Sequence, residues 1–325
     1  MNARKPIAIS CGEPAGIGPE IAYKAWDALR GEDTFVWIGD PQHLPKGAQF
    51  KVISDAVGAA AVSANALPVL AHDFGNAAVA GVPDRTHAQG VIASITKAVE
   101  LVKNGLADGI CTAPIHKAAL IDGANFAYPG HTEYLAALAG TDRVVMMLAS
   151  NMLRVVPTTI HIPLADVSTQ LTASLLTDTI LITHAAMRRD FGISSPRIAV
   201  AGLNPHAGED GKMGHEEIEM ITPVLDALRT QGMDIIGPMS ADTMFHAAAR
   251  KSYDVAVCMY HDQALIPIKT LDFSGGVNVT LGLPFVRTSP DHGTAFDIAG
   301  RDMADTTSMI AALRMARTMA NARDV

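Results

Sequence analysis

The chain has 325 residues, of which 49% are hydrophobic and 18% charged, and its net charge is −8. This length and composition suit one large domain or two ordinary ones and exclude a disordered protein. The negative charge and the lack of a long basic run argue against a nucleic-acid partner. No apolar run reaches the roughly 18 residues of a membrane span, and the three cysteines form no C-x-x-C motif. We therefore expect a globular cytoplasmic protein without a membrane partner.

Short apolar runs alternate with helical patterns along the whole chain. Strands are predicted, in order, for IAIS, FVWIG, GICTA, VVMMLA, LRVVPTTIHI, RIAVAGL, DVAVCMY and NVTLGL. Helices are predicted between them over Ile21–Leu29, Ala88–Asn104, Leu164–Phe191, Glu216–Gln231 and Met303–Ala322. Apolar strands separated by amphipathic helices indicate an α/β fold, with a mainly parallel sheet and helices on both of its faces.

A glycine-rich stretch, CGEPAGIGPE, follows the first predicted strand, where a phosphate-binding loop would lie. Gly16 and Gly18 begin a G-x-G-x-x-G pattern, but Ile21 occupies the third glycine position. Gly12 is not followed by the G-K-[ST] of a Walker loop. On its own, the stretch is therefore only a weak indication of phosphate binding.

Three histidines share one position relative to the predicted strands. His161, His206 and His261 each lie at or just beyond the carboxyl end of an apolar run. Ligands of open α/β sheets bind outside these ends, so the three imidazoles can meet there. Such a trio suits Zn²⁺ or another borderline divalent ion. A single histidine in this position is more commonly structural, but the polar loops around His206 and His261 favour the metal site.

Two further stretches carry groups that can hold an anion. In GHTEYLA, His131 and Thr132 open a helical pattern, where they would add donors to a helix N-terminus; a plain Thr132 cap is the alternative. Further along, Lys269 and Arg287 flank Asn278 and can hold a phosphate or carboxylate. The alternative for either cation is an ordinary solvated side chain.

A turn-rich loop, SPDHGTAFDIAG, lies near the end of the chain and carries Asp291, His292, Thr294 and Asp297. Its glycines permit close backbone approach to a flat or phosphorylated ligand. From the residues alone this is a candidate ligand loop without a specified ligand.

Two distant segments together resemble one enzyme superfamily. GIGPE at 16–20 and HGTAFDIAG at 292–300 resemble the isocitrate/isopropylmalate dehydrogenases, in which an HGSAPDIAG-like loop embraces the adenosine of NAD or NADP. Within that superfamily, the chain resembles the 4-hydroxythreonine-4-phosphate dehydrogenase family of vitamin B6 biosynthesis. The matching segments occur in the expected order from residue 12 to 300, and include TAPIHK, GLNPHAGEDGKMGHEE, ADTMF and YHDQALIPIK.

The resemblance implies two α/β/α domains with an interdomain cleft, in the isocitrate/isopropylmalate dehydrogenase fold rather than a Rossmann fold. It assigns the cofactor side to residues 1–130 plus 277–325, and the metal, substrate and dimerisation side to residues 131–276. It also implies a homodimer whose active site lies at the subunit interface.

The resemblance further implies roles for individual residues. One divalent ion, Zn, Mg or Co, would be held by His161, His206 and His261. The substrate would contact His131, Thr132, Lys269, Asn278 and Arg287. The cofactor, NAD or NADP, would lie beside Gly16, Gly18, His292, Gly293, Thr294 and Asp297.

The implied reaction is the NAD(P)-dependent oxidation of 4-phosphooxy-L-threonine to 2-amino-3-oxo-4-phosphooxybutanoate, which loses CO2 to give 3-amino-2-oxopropyl phosphate. Lys269 and Asp242 are candidates for the general base, although Lys269 could instead anchor an anion and Asp242 could cap a helix. Sister activities toward threonate or erythronate 4-phosphate, or a carboxylated cis-dihydrodiol, would retain the metal trio and the NAD loop. A non-catalytic metal- or phospho-ligand-binding protein is the alternative from a different class.

Overall fold

The structure, a computed structural model, describes residues 4–323. Its strands are β1 Ile7–Ser10, β2 Phe35–Gly39, β3 Phe50–Val52, β4 Leu67–Ala71, β5 Gly109–Thr112, β6 Val145–Ala149, β7 Arg154–Pro157, β8 Arg197–Ala201, β9 Asp234–Met239, β10 Val255–Cys258, β11 Val277–Leu281 and β12 Val286–Pro290. Its α-helices are α1 Gly18–Leu29, α2 Ala59–Val62, α3 Ala88–Lys103, α4 Lys117–Ala124, α5 His131–Ala139, α6 Val167–Gln170, α7 Ala173–Arg189, α8 Thr222–Thr230, α9 His261–Leu271 and α10 Thr307–Arg323. A π-helix, Glu217–Ile221, precedes α8.

All eight strands predicted from apolar runs are present, but the pattern misses β3, β4, β9 and β12. Pro68 lies in β4, and Pro238 lies in the edge strand β9. Proline interrupts the apolar pattern and removes a donor from the ladder. The middle of β12 is buried but polar, so it does not resemble an apolar run.

The five predicted helices are present with altered bounds. The pattern over 164–191 is divided, because Thr172 caps a new helix by accepting a hydrogen bond from the Leu175 amide. The pattern over 216–231 begins as a π-helix and continues as α8. The sequence pattern misses α9, which contains Pro267 in its interior.

The chain folds into two compact units. Unit 1 contains the described residues up to Asp142 together with those from Leu283 onward, and unit 2 is Arg143–Gly282. The strands of unit 1 lie in the order β3-β4-β2-β1-β5-β12, and every neighbouring pair is parallel. Their core includes Trp26 and Trp37, both fully buried. The end of the chain is therefore built into the same sheet as its beginning.

Unit 2 has the strand order β11-β6-β7-β10-β8-β9. Strand β6 is antiparallel to both of its neighbours, whereas β7, β10, β8 and β9 are mutually parallel. A buried cluster that includes Leu148, Val155, Ala256 and Ile268 packs the sheet against α9. Because β7, β10 and β8 are parallel, their carboxyl ends share one edge of the sheet.

The three cysteines are free and buried. Burial raises the pKa of the Cys11 and Cys111 thiols to about 12, so both remain protonated near neutral pH. Within residues 4–323, none of the helices combines the length and the apolar character needed to cross a membrane.

Candidate functional site

Two of the predicted metal ligands meet at the carboxyl edge of unit 2. His161 follows β7, His261 begins α9 just after β10, and their ring centroids are 5.7 Å apart. Nδ1 of His261 lies 2.7 Å from Oδ1 of Asp262, which leaves Nε2 as the nitrogen available to a ligand. Both histidines line a pocket of about 260 Å³ with Tyr260 and Thr159. Two imidazoles with one ring oriented by a carboxylate fit part of the ligand set of a divalent ion.

His206 follows β8, as predicted, but does not join the pair. It lies in a turn over 206–210 in which φ ranges from 42° to 81°. Across the part of the chain that the structure describes, no three His, Cys, Asp or Glu side chains come close enough together to hold a metal ion. Within the described residues, the chain therefore supplies two adjacent imidazoles, and His206 does not complete a three-ligand site with them.

A buried glutamine connects the three strand ends that carry these histidines. Gln263 is 9% exposed, and its Oε1 accepts a hydrogen bond from the Met259 amide at 2.7 Å. Its Nε2 donates to the Gly202 carbonyl at 2.8 Å. The Thr159 hydroxyl donates to the Met259 carbonyl at 2.8 Å. Thr159, Gly202 and Met259 shortly precede His161, His206 and His261 respectively, so these bonds fix the three loops relative to one another.

A buried cationic cluster lies in unit 1. Arg287 on β12 is 3% exposed, and its Nη2 donates to the Thr112 hydroxyl at 2.7 Å. Burial lowers the pKa of Arg287 to about 10, so the guanidinium remains charged at neutral pH. Burial, followed by the charges of Arg287 and Lys117, holds the pKa of His131 well below 6.5. Although part of His131 is accessible, its Nε2 is buried and has no hydrogen-bond partner among residues 4–323. A buried guanidinium beside a neutral imidazole suits an anionic ligand.

The other predicted substrate and base residues are distributed over both units. Thr132 lies in the first turn of α5, beside His131. Lys269 lies on α9 and lines a shallow pocket of about 350 Å³ that also contains His261. Asn278 lies on β11, and its Oδ1 is buried without a hydrogen-bond partner in the described part of the chain. Asp242 is exposed in a turn after β9, and because no helix begins there, it does not act as a helix cap.

The two glycine-containing signature segments meet in unit 1. The Ile17 amide donates to the Thr294 carbonyl at 3.0 Å. A Cβ on Gly16 would lie 2.8 Å from that same oxygen, and a Cβ on Gly18 would lie 2.7 Å from the Cys11 carbonyl. Both glycines are therefore required by backbone packing within the chain, which favours a shaping role for this loop.

The remaining predicted cofactor residues lie along the second segment. Nδ1 of His292 is 3.0 Å from the Gly293 carbonyl, whereas its Nε2 is buried without a hydrogen-bond partner within residues 4–323. A Cβ on Gly293 would meet nothing within 4 Å, and Asp297 is exposed. The loop thus combines a buried imidazole nitrogen that lacks a partner with open space beside Gly293, and that space can admit a ligand.

A third segment, 76–87, packs against both and is not singled out by sequence patterns. The Gly81 amide donates to the Ala15 carbonyl at 2.8 Å, and a Cβ on Gly81 would lie 2.9 Å from the Phe296 carbonyl. A pocket of about 480 Å³ opens here, lined in part by Asn76, Asp84, Arg85, His87, His116 and Asp122. These polar residues form no recognisable motif, and only their position beside the glycine loops in the folded chain draws attention to them.

Comparison with known proteins identifies close relatives. A family model described as pyridoxal phosphate biosynthetic protein PdxA matches residues 32–316. A 4-hydroxythreonine-4-phosphate dehydrogenase from Roseobacter denitrificans is 62% identical over 319 residues, which cover 98% of each chain. The crystal structure of a 4-hydroxythreonine-4-phosphate dehydrogenase from Klebsiella pneumoniae is 38% identical, with a TM-score of 0.89 over 98% of this chain and 99% of that one.

More distant structures define the class of fold. A terephthalate 1,2-cis-dihydrodiol dehydrogenase from Burkholderia xenovorans LB400 is 26% identical, with a TM-score of 0.67 over 97% of this chain and 98% of that one. A β-decarboxylating dehydrogenase from Thermococcus kodakarensis, 13% identical over 96% of this chain and 82% of that one, shares the fold with a TM-score of 0.50. The fold is thus that of the isocitrate/isopropylmalate dehydrogenase-like enzymes and not a Rossmann fold, which confirms the expectation from sequence. Within this class, the chain belongs to the PdxA family of pyridoxal phosphate biosynthetic proteins.

Proposed function

We propose that this chain is a 4-hydroxythreonine-4-phosphate dehydrogenase of pyridoxal phosphate biosynthesis. It would oxidise the secondary alcohol of 4-phosphooxy-L-threonine with NAD(P)+ and a divalent metal ion, and the keto acid formed would lose CO2 to give 3-amino-2-oxopropyl phosphate. Family membership and the 62% identity with a relative of that name support the proposal. The structural observation that carries it is the pair of imidazoles, His161 and His261, 5.7 Å apart at the carboxyl edge of unit 2.

The metal site would use all three histidines. His161 and His261 would supply two ligands from one subunit, and His206 would supply the third from a second subunit, since the described residues of one chain form no three-ligand site. This arrangement accords with a homodimer whose active site lies at the subunit interface. When bound, the ion would lower the pKa of the substrate hydroxyl and stabilise the negative charge that develops as CO2 leaves.

Residues of the chain would bind the anionic groups and accept the proton. Arg287, His131, Thr132 and Asn278 would hold the phosphate or carboxylate and thus supply binding energy away from the reacting carbon. Lys269 lines the same shallow pocket as His261, whereas Asp242 lies exposed in a turn. This favours Lys269 over Asp242 as the group that accepts the hydroxyl proton.

The cofactor would bind along the joined signature segments of unit 1. Gly16 and Gly18 would shape the surface, and the segment 292–297 would contact the nucleotide, with the open space beside Gly293 as a candidate position for it. The bound NAD or NADP would accept the hydride. The division into a cofactor side, 1–130 plus 277–325, and a metal and dimerisation side, 131–276, remains a prediction, as does a cytoplasmic location.

A substrate comparison tests the proposal most directly. Purified enzyme should produce NADH or NADPH with 4-phosphooxy-L-threonine, and turnover should cease after chelation and return with added Zn²⁺, Mg²⁺ or Co²⁺. NADH formation with threonate or erythronate 4-phosphate but not with 4-phosphooxy-L-threonine would contradict the assignment. Full activity of His206→Ala after removal of metal would contradict the metal mechanism.

A second candidate is the oxidation of a carboxylated cis-dihydrodiol. The 26% identity and TM-score of 0.67 with the terephthalate dihydrodiol dehydrogenase favour it over unrelated chemistries. The cationic cluster around Arg287 would accept a carboxylate as well as a phosphate. The same assay with a dihydrodiol carboxylate separates the two candidates.

A further inference from the structure

The turn that carries His206 has a backbone that L-amino acids rarely adopt. Five consecutive residues, His206, Ala207, Gly208, Glu209 and Asp210, have positive φ, and four of them are not glycine. In each of the four non-glycine residues, the Cβ comes into conflict with the neighbouring backbone. A run of this kind persists only where the surrounding structure determines it.

The carboxylate of Glu217 packs against this turn. Glu217 is 3% exposed. Its Oε1 accepts a hydrogen bond from the backbone N–H of Asn204 at 2.7 Å, and its Oε2 accepts one from the side-chain Nδ2 of Asn204 at 2.9 Å. A Cβ on Gly208 would lie 2.7 Å from Oε2, and one on Gly202 would lie 3.0 Å from Oε1. Gly202, before the turn, and Gly208, within it, therefore both pack against this one carboxylate, and their lack of side chains makes the space for it.

A π-helix supplies the carboxylate. Glu217 is the first residue of the π-helix Glu217–Ile221, and the preceding Glu216 also reaches Asn204, with its Oε2 2.7 Å from Nδ2. Consecutive side chains of a regular α-helix point about 100° apart and do not converge on one group. The departure from α-helical geometry thus coincides with two carboxylates that both accept hydrogen bonds from the side-chain amide of Asn204.

We propose that Glu217 is a positioning residue for the metal ligand His206. Through Asn204, two residues before His206, its carboxylate holds the left-handed turn and so fixes the direction in which the imidazole is presented. The inference rests on the proposed function, because it takes His206 as a ligand of the divalent ion. A buried carboxylate is unfavourable unless its oxygens are hydrogen-bonded, and an apolar side chain would fill the same volume without that penalty. The role of the Glu217 carboxylate is therefore to define the shape of this one turn.

The test compares Glu217→Gln with Glu219→Gln, which alters an exposed carboxylate of the same π-helix. Gln at 217 keeps one oxygen that can accept from the backbone N–H of Asn204. Its NH2 group, however, faces the side-chain NH2 of Asn204, so two donors meet and that hydrogen bond is lost. In metal-free dimers, hydrogen exchange over 204–214 should become faster in Glu217→Gln, and calorimetric titration should show Zn²⁺ affinity reduced by about 10- to 100-fold. Glu219→Gln should match the wild type in both measurements.

Two results would overturn the positioning role: unchanged exchange over 204–214 in Glu217→Gln, or faster exchange with wild-type Zn²⁺ affinity. If Glu217→Gln does not fold, Asn204→Ala removes the Nδ2 donor of the same hydrogen bond, at the less buried of the two residues. Faster exchange over 204–214 and reduced Zn²⁺ affinity are expected again, and the same two results would contradict the positioning role. The His206→Ala variant separates this inference from the function on which it rests. Equal Zn²⁺ affinity of His206→Ala and the wild type would show that His206 is not a ligand, and the proposed metal site itself would then fail.

Discussion

The amide of Ile17 donates a hydrogen bond to the carbonyl of Thr294 at 3.0 Å, and so joins segments from opposite ends of the chain. Gly16 packs against the same carbonyl, with no space for a side chain between them. The two halves of the superfamily signature thus form one continuous backbone surface in unit 1. Changes at this contact should affect both the stability of the unit and the binding of NAD(P).

Replacement of Gly16 with alanine should separate the two segments. The new Cβ would lie 2.8 Å from the Thr294 carbonyl and 3.1 Å from the Thr294 Cβ, so the loop would have to move. We expect a loss of about 1–3 kcal/mol in the free energy of unfolding, as for other overpacked sites. We also expect a raised KM for NAD(P)+. Urea unfolding and steady-state kinetics measure the two effects.

Gly293→Ala is the matched control for stability, because it lies in the same segment and its Cβ would meet nothing within 4 Å. Its unfolding free energy should stay within about 0.5 kcal/mol of the wild type. Equal destabilisation of both variants would show that the Gly16 contact has no special importance.

Replacement of Gln263 with leucine should loosen the histidine-bearing loops. The variant leaves the Met259 amide and the Gly202 carbonyl without their buried partner, at a cost of about 2–4 kcal/mol in the free energy of unfolding. Because both groups lie close to proposed metal ligands, Zn²⁺ affinity should fall as well. The comparison is Gln170→Leu, an exposed position at the end of α6, where neither quantity should change. Wild-type stability of Gln263→Leu would rule out a role for this amide in fixing the loops.

The stability of the protein should depend on pH through His131. Burial and the charges of Arg287 and Lys117 depress the pKa of its imidazole in the folded state. The unfolded chain, with a histidine pKa of about 6.5, therefore binds more protons than the folded chain below that pH. Stability from this group is present above about pH 6.5 and is lost as the pH falls, by at most about 1.4 kcal/mol per pH unit.

His131→Gln should reduce the slope of the unfolding free energy between about pH 6.5 and 5, where the unfolded histidine gains its proton. Some slope should remain, because burial also depresses the pKa of His43 and His184. Denaturant titrations of both proteins at several pH values provide the comparison. Parallel stability curves for the wild type and His131→Gln would contradict the prediction.

Arg287→Lys should weaken substrate binding without comparable loss of cofactor binding. Lysine keeps the charge but loses the planar guanidinium that donates to Thr112 and can bind an oxyanion through two bonds. We expect KM for the phosphorylated substrate to rise by about 10- to 100-fold, the equivalent of roughly 1.4–2.7 kcal/mol. Arg314→Lys, at an exposed ion pair with Glu32, is the control and should be unaffected. An unchanged substrate KM in Arg287→Lys would remove Arg287 from the substrate site.

The positions of His161 and His261 follow from the sequence because each ends an apolar run, and parallel strands place such ends along one edge. The conformation around His206 does not follow, since its left-handed turn depends on a carboxylate from a later π-helix. The burial of Arg287 is equally hidden, because β12 carries polar residues in its interior. Gly16 illustrates a third case: its role depends on a contact with Thr294, which no local pattern reveals.

The discontinuity of unit 1 has a consequence for protein synthesis. Strand β12 and helix α10 complete this unit, where Arg317 of α10 bonds to Asp33 and Asp108. During translation, the first part of unit 1 must wait for unit 2 to be made, a delay on the order of 10 s at about 5–20 residues per second. Unit 2 is continuous, so its core can form while the β5 edge of unit 1 still lacks its neighbour. We expect ribosome-bound chains that end after residue 282 to show a protease-resistant unit 2 and a digestible N-terminal part; equal resistance of both parts would indicate that unit 1 folds without its C-terminal strand.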